Sequence, residues 1–129
     1  RQRQMCIRDR RKVADHYDNF FKKFDSIKTP VRNSCSRHVF HQYTLILNGI
    51  DRTALNEHLA SKDIPSMIYY PVPGHKQKMF SVFGSAETNL PVTDWLTERV
   101  LSLPIHTEME DEQLNYICSA IEEFMNVNA

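Results

Sequence analysis

From Arg11 onward the apolar residues Val13, Tyr17, Phe20, Phe21 and Phe24 recur at i, i+4, i+7, i+8 and i+11, with Asp15, Asp18, Lys22 and Lys23 on the other faces. That period predicts one amphipathic helix, whose apolar stripe has to be covered by other structure. A second stripe, Leu114, Ile117, Ile121, Phe124 and Met125, lies near the end of the chain behind the capping-box pattern Thr107-x-x-Glu110. Two one-sided helices need a shared apolar layer, and the residues between them must supply it.

Those residues read mostly as short strands and helices. Val39–Leu47 is rich in β-branched and aromatic residues and ends at Asn48-Gly49, which predicts a strand after the polar loop 28–37. Asp51 suits the N-cap of a helix running through Ala60, with Leu55 and Leu59 one turn apart on the core side. Ile64–Tyr70 reads as a second strand, stopped by Pro71 and Pro73. Residues 71–90 read as loop with a helical turn near Gln77–Val82. Pro91 can open a helix through Arg99, and Val100–Leu103 can form a third strand, ended by Pro104. The expected fold class is α/β: a small sandwich of helices against a short sheet.

Lys plus Arg and Asp plus Glu are equal at 16 each, so no whole-chain field favours nucleic acid or an anionic membrane. No apolar run approaches the roughly 18 residues of a membrane span. Cys6, Cys35 and Cys118 form no close pair, which suits a reduced, cytoplasmic setting.

The first ten residues, RQRQMCIRDR, stand apart. They hold four arginines against one acid, so the remainder is net acidic, and their apolar residues follow neither helical nor strand period. MCIRDR also resembles the translation of a transposase mosaic end used in sequencing libraries. Residues 1–10 are therefore expected to be a non-native tail, and 11–129 the domain proper. The alternative is a genuine, frayed basic terminus.

Three scattered glycines, Gly49, Gly74 and Gly84, cannot build a dinucleotide fingerprint or a phosphate-cradling loop. His38 and His41, three residues apart on a strand, would point to opposite faces and not converge on a metal ion. Unusual chemistry does gather in Ile68-Tyr69-Tyr70-Pro71-Val72-Pro73-Gly74-His75-Lys76-Gln77, where two phenols, an imidazole, an ammonium and an amide sit on a proline-stiffened loop. Such groups donate hydrogen bonds to phosphate and hydroxyl oxygens. Equally, the tyrosines can be packing residues and His75 a turn cap.

The succession RKVADHY, SRHVFHQYTL, Asp51-Arg52-x-x-Leu55, IPSMIYYPVPGHKQ, LPVTDWL and VLSLPIH resembles the C-terminal domain of the DegT/StrS aminotransferases from Arg11 to Phe124. The resemblance implies the small C-terminal α/β sandwich of a fold type I enzyme. Such enzymes use pyridoxal 5'-phosphate to move an amino group from glutamate to a nucleotide-linked keto sugar. It further implies a homodimer of the full-length protein, with an active site between domains and subunits. Nothing in this chain matches the family's cofactor-lysine segment, so the cofactor is expected on a missing N-terminal domain. The catalytic lysine is expected there too.

The substrate-binding residues implied by the resemblance are His41 and Tyr43, in an H-x-Y element, and Tyr69, Tyr70 and His75, in an HYP-like element. His41 is expected to face the pocket, with Tyr43 shaping it. Gly74 departs from the family's usual leucine, and Arg52 is expected to be a solvated or capping charge. The HQYT and IYYPVP forms are similar to branches acting on UDP-linked or dTDP-linked sugars. Two alternatives stand beside this reading: a non-enzymatic binding module, and a relative that dehydrates or regulates without transaminating. A fragment is expected to expose apolar surface from the Val13–Phe24 stripe and from its domain interface, and so to aggregate or bind hydrophobic dye.

Overall fold

A computed structural model describes residues 2–84 and 87–127. The first apolar stripe lies on helix α1, Gln2–Phe21, which buries Val13, Ala14, Tyr17 and Phe21. The helix does not start at Arg11 as its stripe suggests. It runs back through the basic segment, whose arginine, glutamine and methionine are good helix formers. The chain turns after Phe21, leaving Phe20 and Phe24 partly buried against the core. The stripe is thus covered within the domain, contrary to the expectation of an exposed surface there.

Three antiparallel strands follow: β1 (Ile27–Lys28), β2 (Tyr43–Leu47) and β3 (Val100–Leu103), in the order β1-β2-β3. Ile27 pairs with Leu47, Leu45 with Leu101 and Tyr43 with Leu103, so one sheet face carries six buried side chains. That alternation follows from the two-residue period of the strand. On the opposite face Thr44 and Ser102 join hydroxyls at 2.7 Å.

Two strand expectations change. The run Val39–Leu47 is a strand only from Tyr43, because Phe40 is held at φ 48°, in the left-handed region that breaks extended backbone. Its ring is buried, and packing of that ring holds the turn in place. Ile64–Tyr70 makes only one bridge, Met67 to Ser102, in which the two residues exchange N–H···O bonds of 2.9 Å. Pro65 lacks a backbone donor, and Asp63 sits at φ 57°, which limits a longer ladder there.

Helix α2 (Arg52–Ser61) opens as expected: the Asp51 carboxylate accepts from Thr53 N and Ala54 N at 2.9 and 3.0 Å. Leu55 and Leu59 are buried. Helix α3 (Pro91–Arg99) has proline in its first turn and buries no residue. Helix α4 (Asp111–Val127) buries Leu114, Ile117, Cys118, Ala120, Ile121 and Phe124. Its capping arrangement is one turn later than Thr107-x-x-Glu110: Gln113 Oε1 accepts from Glu110 N at 3.1 Å, and Leu114 N donates to Glu110 O. Among the described residues no helix is long and apolar enough to cross a membrane.

Candidate functional site

Between Met67 and α3 the chain leaves the core. Gly74–Lys76 and Lys78–Phe83 form short 3-10 turns, the second closed by Gly84 at φ 70°, a backbone position that glycine adopts without penalty. The expected helical turn near Gln77–Val82 is this second element. Val82 and Phe83 are about 80% exposed, and Met79 and Val92 are largely exposed too. Among the described residues, exposed large apolar side chains therefore concentrate here.

Tyr69, Tyr70, Pro71, Val72, Lys76, Gln77 and Lys78 line an open cavity of about 510 Å³. Residues bearing two phenols, two ammonium groups and an amide thus border one largely apolar volume, and such groups can donate to phosphate and sugar oxygens. The prolines flanking Val72 reduce the freedom that a ligand would otherwise have to freeze. A second groove of about 480 Å³ is lined by Ile64, Pro104, Met109, Tyr116 and Ile117 together with the acids Asp63 and Glu112, and it carries no lysine or arginine.

The five site residues expected from the sequence do not come together. Tyr69 and Tyr70 line the cavity. His75 lies behind that wall: its side chain is only 7% exposed, with Nε2 3.4 Å from Asp94 Oδ1. Lys76 Nζ reaches the same carboxylate oxygen at 2.9 Å. His41 is exposed on the segment before β2, and the cavity wall does not include it. Tyr43 is fully buried, its ring 5.0 Å from that of Tyr17 and its hydroxyl donating to Asp18 Oδ1 at 2.5 Å. Tyr43 is a core residue here, not a pocket wall, because it enters the sheet on the α1 side. His41 lies outside the strand, so the two do not share a strand face as expected.

Sequence reasoning missed Asp94 and Lys78 as neighbours of this loop. Asp94 sits in the first turn of α3, far along the chain from Lys76, and no local pattern announces the contact. His38 turns inward to its own segment, its Nδ1 accepting from Phe40 N at 2.9 Å. Among the described residues no three His, Cys, Asp or Glu side chains gather as metal donors. Arg52 donates to the carbonyl oxygens of Thr97 and Val100, which makes it the cap of α3.

The lysines present do not fit a pyridoxal Schiff base. That role needs an amine held neutral by burial or by neighbouring cations. Lys76 is paired with Asp94, Lys62 with Glu123 and Lys23 with Glu122, while Lys12, Lys22, Lys28 and Lys78 are exposed. No step through the cofactor is assigned to this chain.

The sequence pattern of the DegT/DnrJ/EryC1/StrS aminotransferase family matches residues 2–122, and the chain belongs to that family. It is 40% identical over 117 residues to the UDP-N-acetyl-3-dehydro-alpha-D-glucosamine 3-aminotransferase of Acidithiobacillus ferrooxidans, covering 91% of this chain and 30% of that protein. It is 36% identical to the pleiotropic regulatory protein of Geobacillus stearothermophilus, covering 89% of this chain and 31% of that one. The fold superposes on a family aminotransferase from Brucella abortus with a TM-score of 0.80 at 30% identity, covering 92% of this chain and 31% of that one. It superposes on the PLP form of a putative sugar aminotransferase from Streptococcus pneumoniae with a TM-score of 0.79 at 24% identity, covering 92% and 31%. The chain spans about 30% of the length of the curated relatives it matches.

Proposed function

We propose that this chain is the C-terminal domain of a PLP-dependent aminotransferase that moves an amino group from glutamate to a nucleotide-linked keto sugar. In this reading residues 11–129 form a substrate wall, and the cofactor lysine belongs to a part of the parent protein outside these 129 residues. The parent works as a cytoplasmic homodimer. When bound, the cofactor supplies the electron sink for amine transfer. This domain binds and orients: Tyr69 and Tyr70 offer hydroxyls, and Lys76, Lys78 and Gln77 offer cationic and amide donors to sugar and diphosphate oxygens.

The observation that carries the reading is the gathering of those donors on one open cavity within a family of aminotransferases. Relatives acting on UDP-linked sugars favour a UDP-linked substrate. The test is to express the complete reading frame and add UDP-linked 3-keto sugars with glutamate. Glutamate alone should shift the cofactor absorbance to the pyridoxamine form, and the accepted keto sugar should return it to the starting form. A spectrum unmoved by glutamate and by every keto sugar would defeat the aminotransferase reading and favour the regulatory one, which the likeness to the Geobacillus protein supports.

The same reading treats residues 1–10 as non-native despite their helical course. Sequencing the source DNA across Arg10-Arg11 tests this: continuous coding sequence upstream, without the adapter-like string, would overturn it.

A further inference from the structure

The side chain of His75 is 93% buried by its 7% residual exposure, yet neither Nδ1 nor Nε2 makes a hydrogen bond. A buried imidazole without a partner is unfavourable, and native structures satisfy such groups almost without exception. The acceptor available is Asp94 Oδ1, which is itself buried and without a hydrogen bond, 3.4 Å from His75 Nε2 and 2.9 Å from Lys76 Nζ. One carboxylate oxygen thus stands between two consecutive side chains of the cavity loop. An N–H at Nε2, 3.4 Å from that oxygen, needs to close about 0.6 Å to make a hydrogen bond to the carboxylate of ~2.8 Å.

The rest of the loop offers little to hold it. Gly74 contributes no side chain, and a Cβ there would meet nothing within 4 Å. Apart from the His75 side chain the turn buries nothing, since Gly74 and Lys76 are exposed. Asp94, by contrast, is anchored: its N–H donates to Leu90 O at 3.0 Å in the first turn of α3. A carboxylate is favoured at that end of a helix.

We propose that Asp94 is a positioning residue, which fixes the Tyr69–Lys78 loop through His75 and Lys76 and so presents the tyrosine wall in a preset shape. The use of that wall for a sugar nucleotide rests on the function proposed above; the anchoring does not. Preset loops bind with less loss of conformational freedom.

Amide hydrogen exchange of the full 129-residue chain tests this by comparing the wild type with Asp94→Asn, Asp94→Glu and Lys76→Met. Lys76 N, Gln77 N and Phe80 N make backbone hydrogen bonds and report the loop, while Tyr43–Leu47 report the core. In Asp94→Asn, loop exchange should rise about ten-fold with the core unchanged. Asp94→Glu should recover most of the protection, and Lys76→Met should lose part of it because His75 remains. Unchanged loop exchange in Asp94→Asn overturns the proposal. So does an equal rise in the β2 amides, which signals general destabilisation, or a failure of glutamate to rescue. Absence of sugar-nucleotide turnover in the complete wild-type enzyme, with loop exchange behaving as expected, would count against the proposed function instead.

Discussion

The phenol of Tyr43 donates to Asp18 Oδ1 across 2.5 Å, and Asp18 Oδ2 receives Arg32 from the loop that follows β1. A sheet residue, a helix carboxylate and a loop guanidinium are thereby joined at one point. Removing the hydroxyl leaves Asp18 half satisfied. Tyr43→Phe should therefore cost about 1 to 2 kcal/mol of unfolding free energy in urea titrations. Because Tyr43 does not line the cavity, the binding proposed at Tyr69 and Tyr70 should be unaffected. A variant as stable as wild type would show that the bond contributes nothing net.

Alkaline pH should unfold the domain earlier than its lysines alone require. Burial pushes the phenols of Tyr17 and Tyr43 well above the ordinary tyrosine range, and for Tyr43 the hydrogen bond to Asp18 and its charge add to the shift. Folded protein keeps these protons while the unfolded chain releases them above about pH 10. Stability from this source is complete below that pH and falls above it, by about 1.4 kcal/mol per pH unit for each tyrosine. Urea midpoints measured from pH 9 to 11 should fall steeply, and less steeply in Tyr43→Phe. A flat profile would contradict the burial of both phenols.

Thiol labelling should distinguish the cysteines. Burial foremost, with Glu122 nearby and Lys23 partly opposing, pushes the Cys118 thiol up to about 12. Cys35 is exposed. At pH 8 a disulfide reagent should modify Cys35 within minutes and Cys118 only after denaturant is added. Rapid native labelling of Cys118 would place it elsewhere than the α4 core face.

Arg52→Met should destabilise the chain by about 1.5 to 3 kcal/mol, since it strips the donors from the Thr97 and Val100 carbonyls. Arg52→Lys should recover only part of this, because a single ammonium lacks the fork of a guanidinium. Thermal melts of the three proteins measure the difference. Equal melting of Arg52→Met and wild type would remove the cap from the account of α3.

Much of this fold was legible in sequence. The stripes of α1 and α4, the Asp51 cap of α2, the proline start of α3 and strand β3 all follow from local chemistry. The failures have tertiary causes. Phe40 reads as strand but is turned to φ 48° by burial of its ring. Ile64–Tyr70 carries strand-forming residues that Pro65 and the bend at Asp63 keep from pairing beyond Met67. That Tyr69 and Tyr70 line one cavity was legible because they are adjacent in sequence. His75 behind the wall, and its carboxylate neighbour on α3, depend on a contact between residues nineteen positions apart. No local pattern reveals that.

The sheet itself is finished in a way that limits self-association. β1 is two residues long, and the outer edge of β3 is occupied at Ser102 by both backbone bonds of Met67. Another copy of the chain finds almost no free run of amides and carbonyls to extend. Intermolecular association of this domain should therefore proceed through side chains of the 67–95 surface and not through growth of a cross-strand ladder.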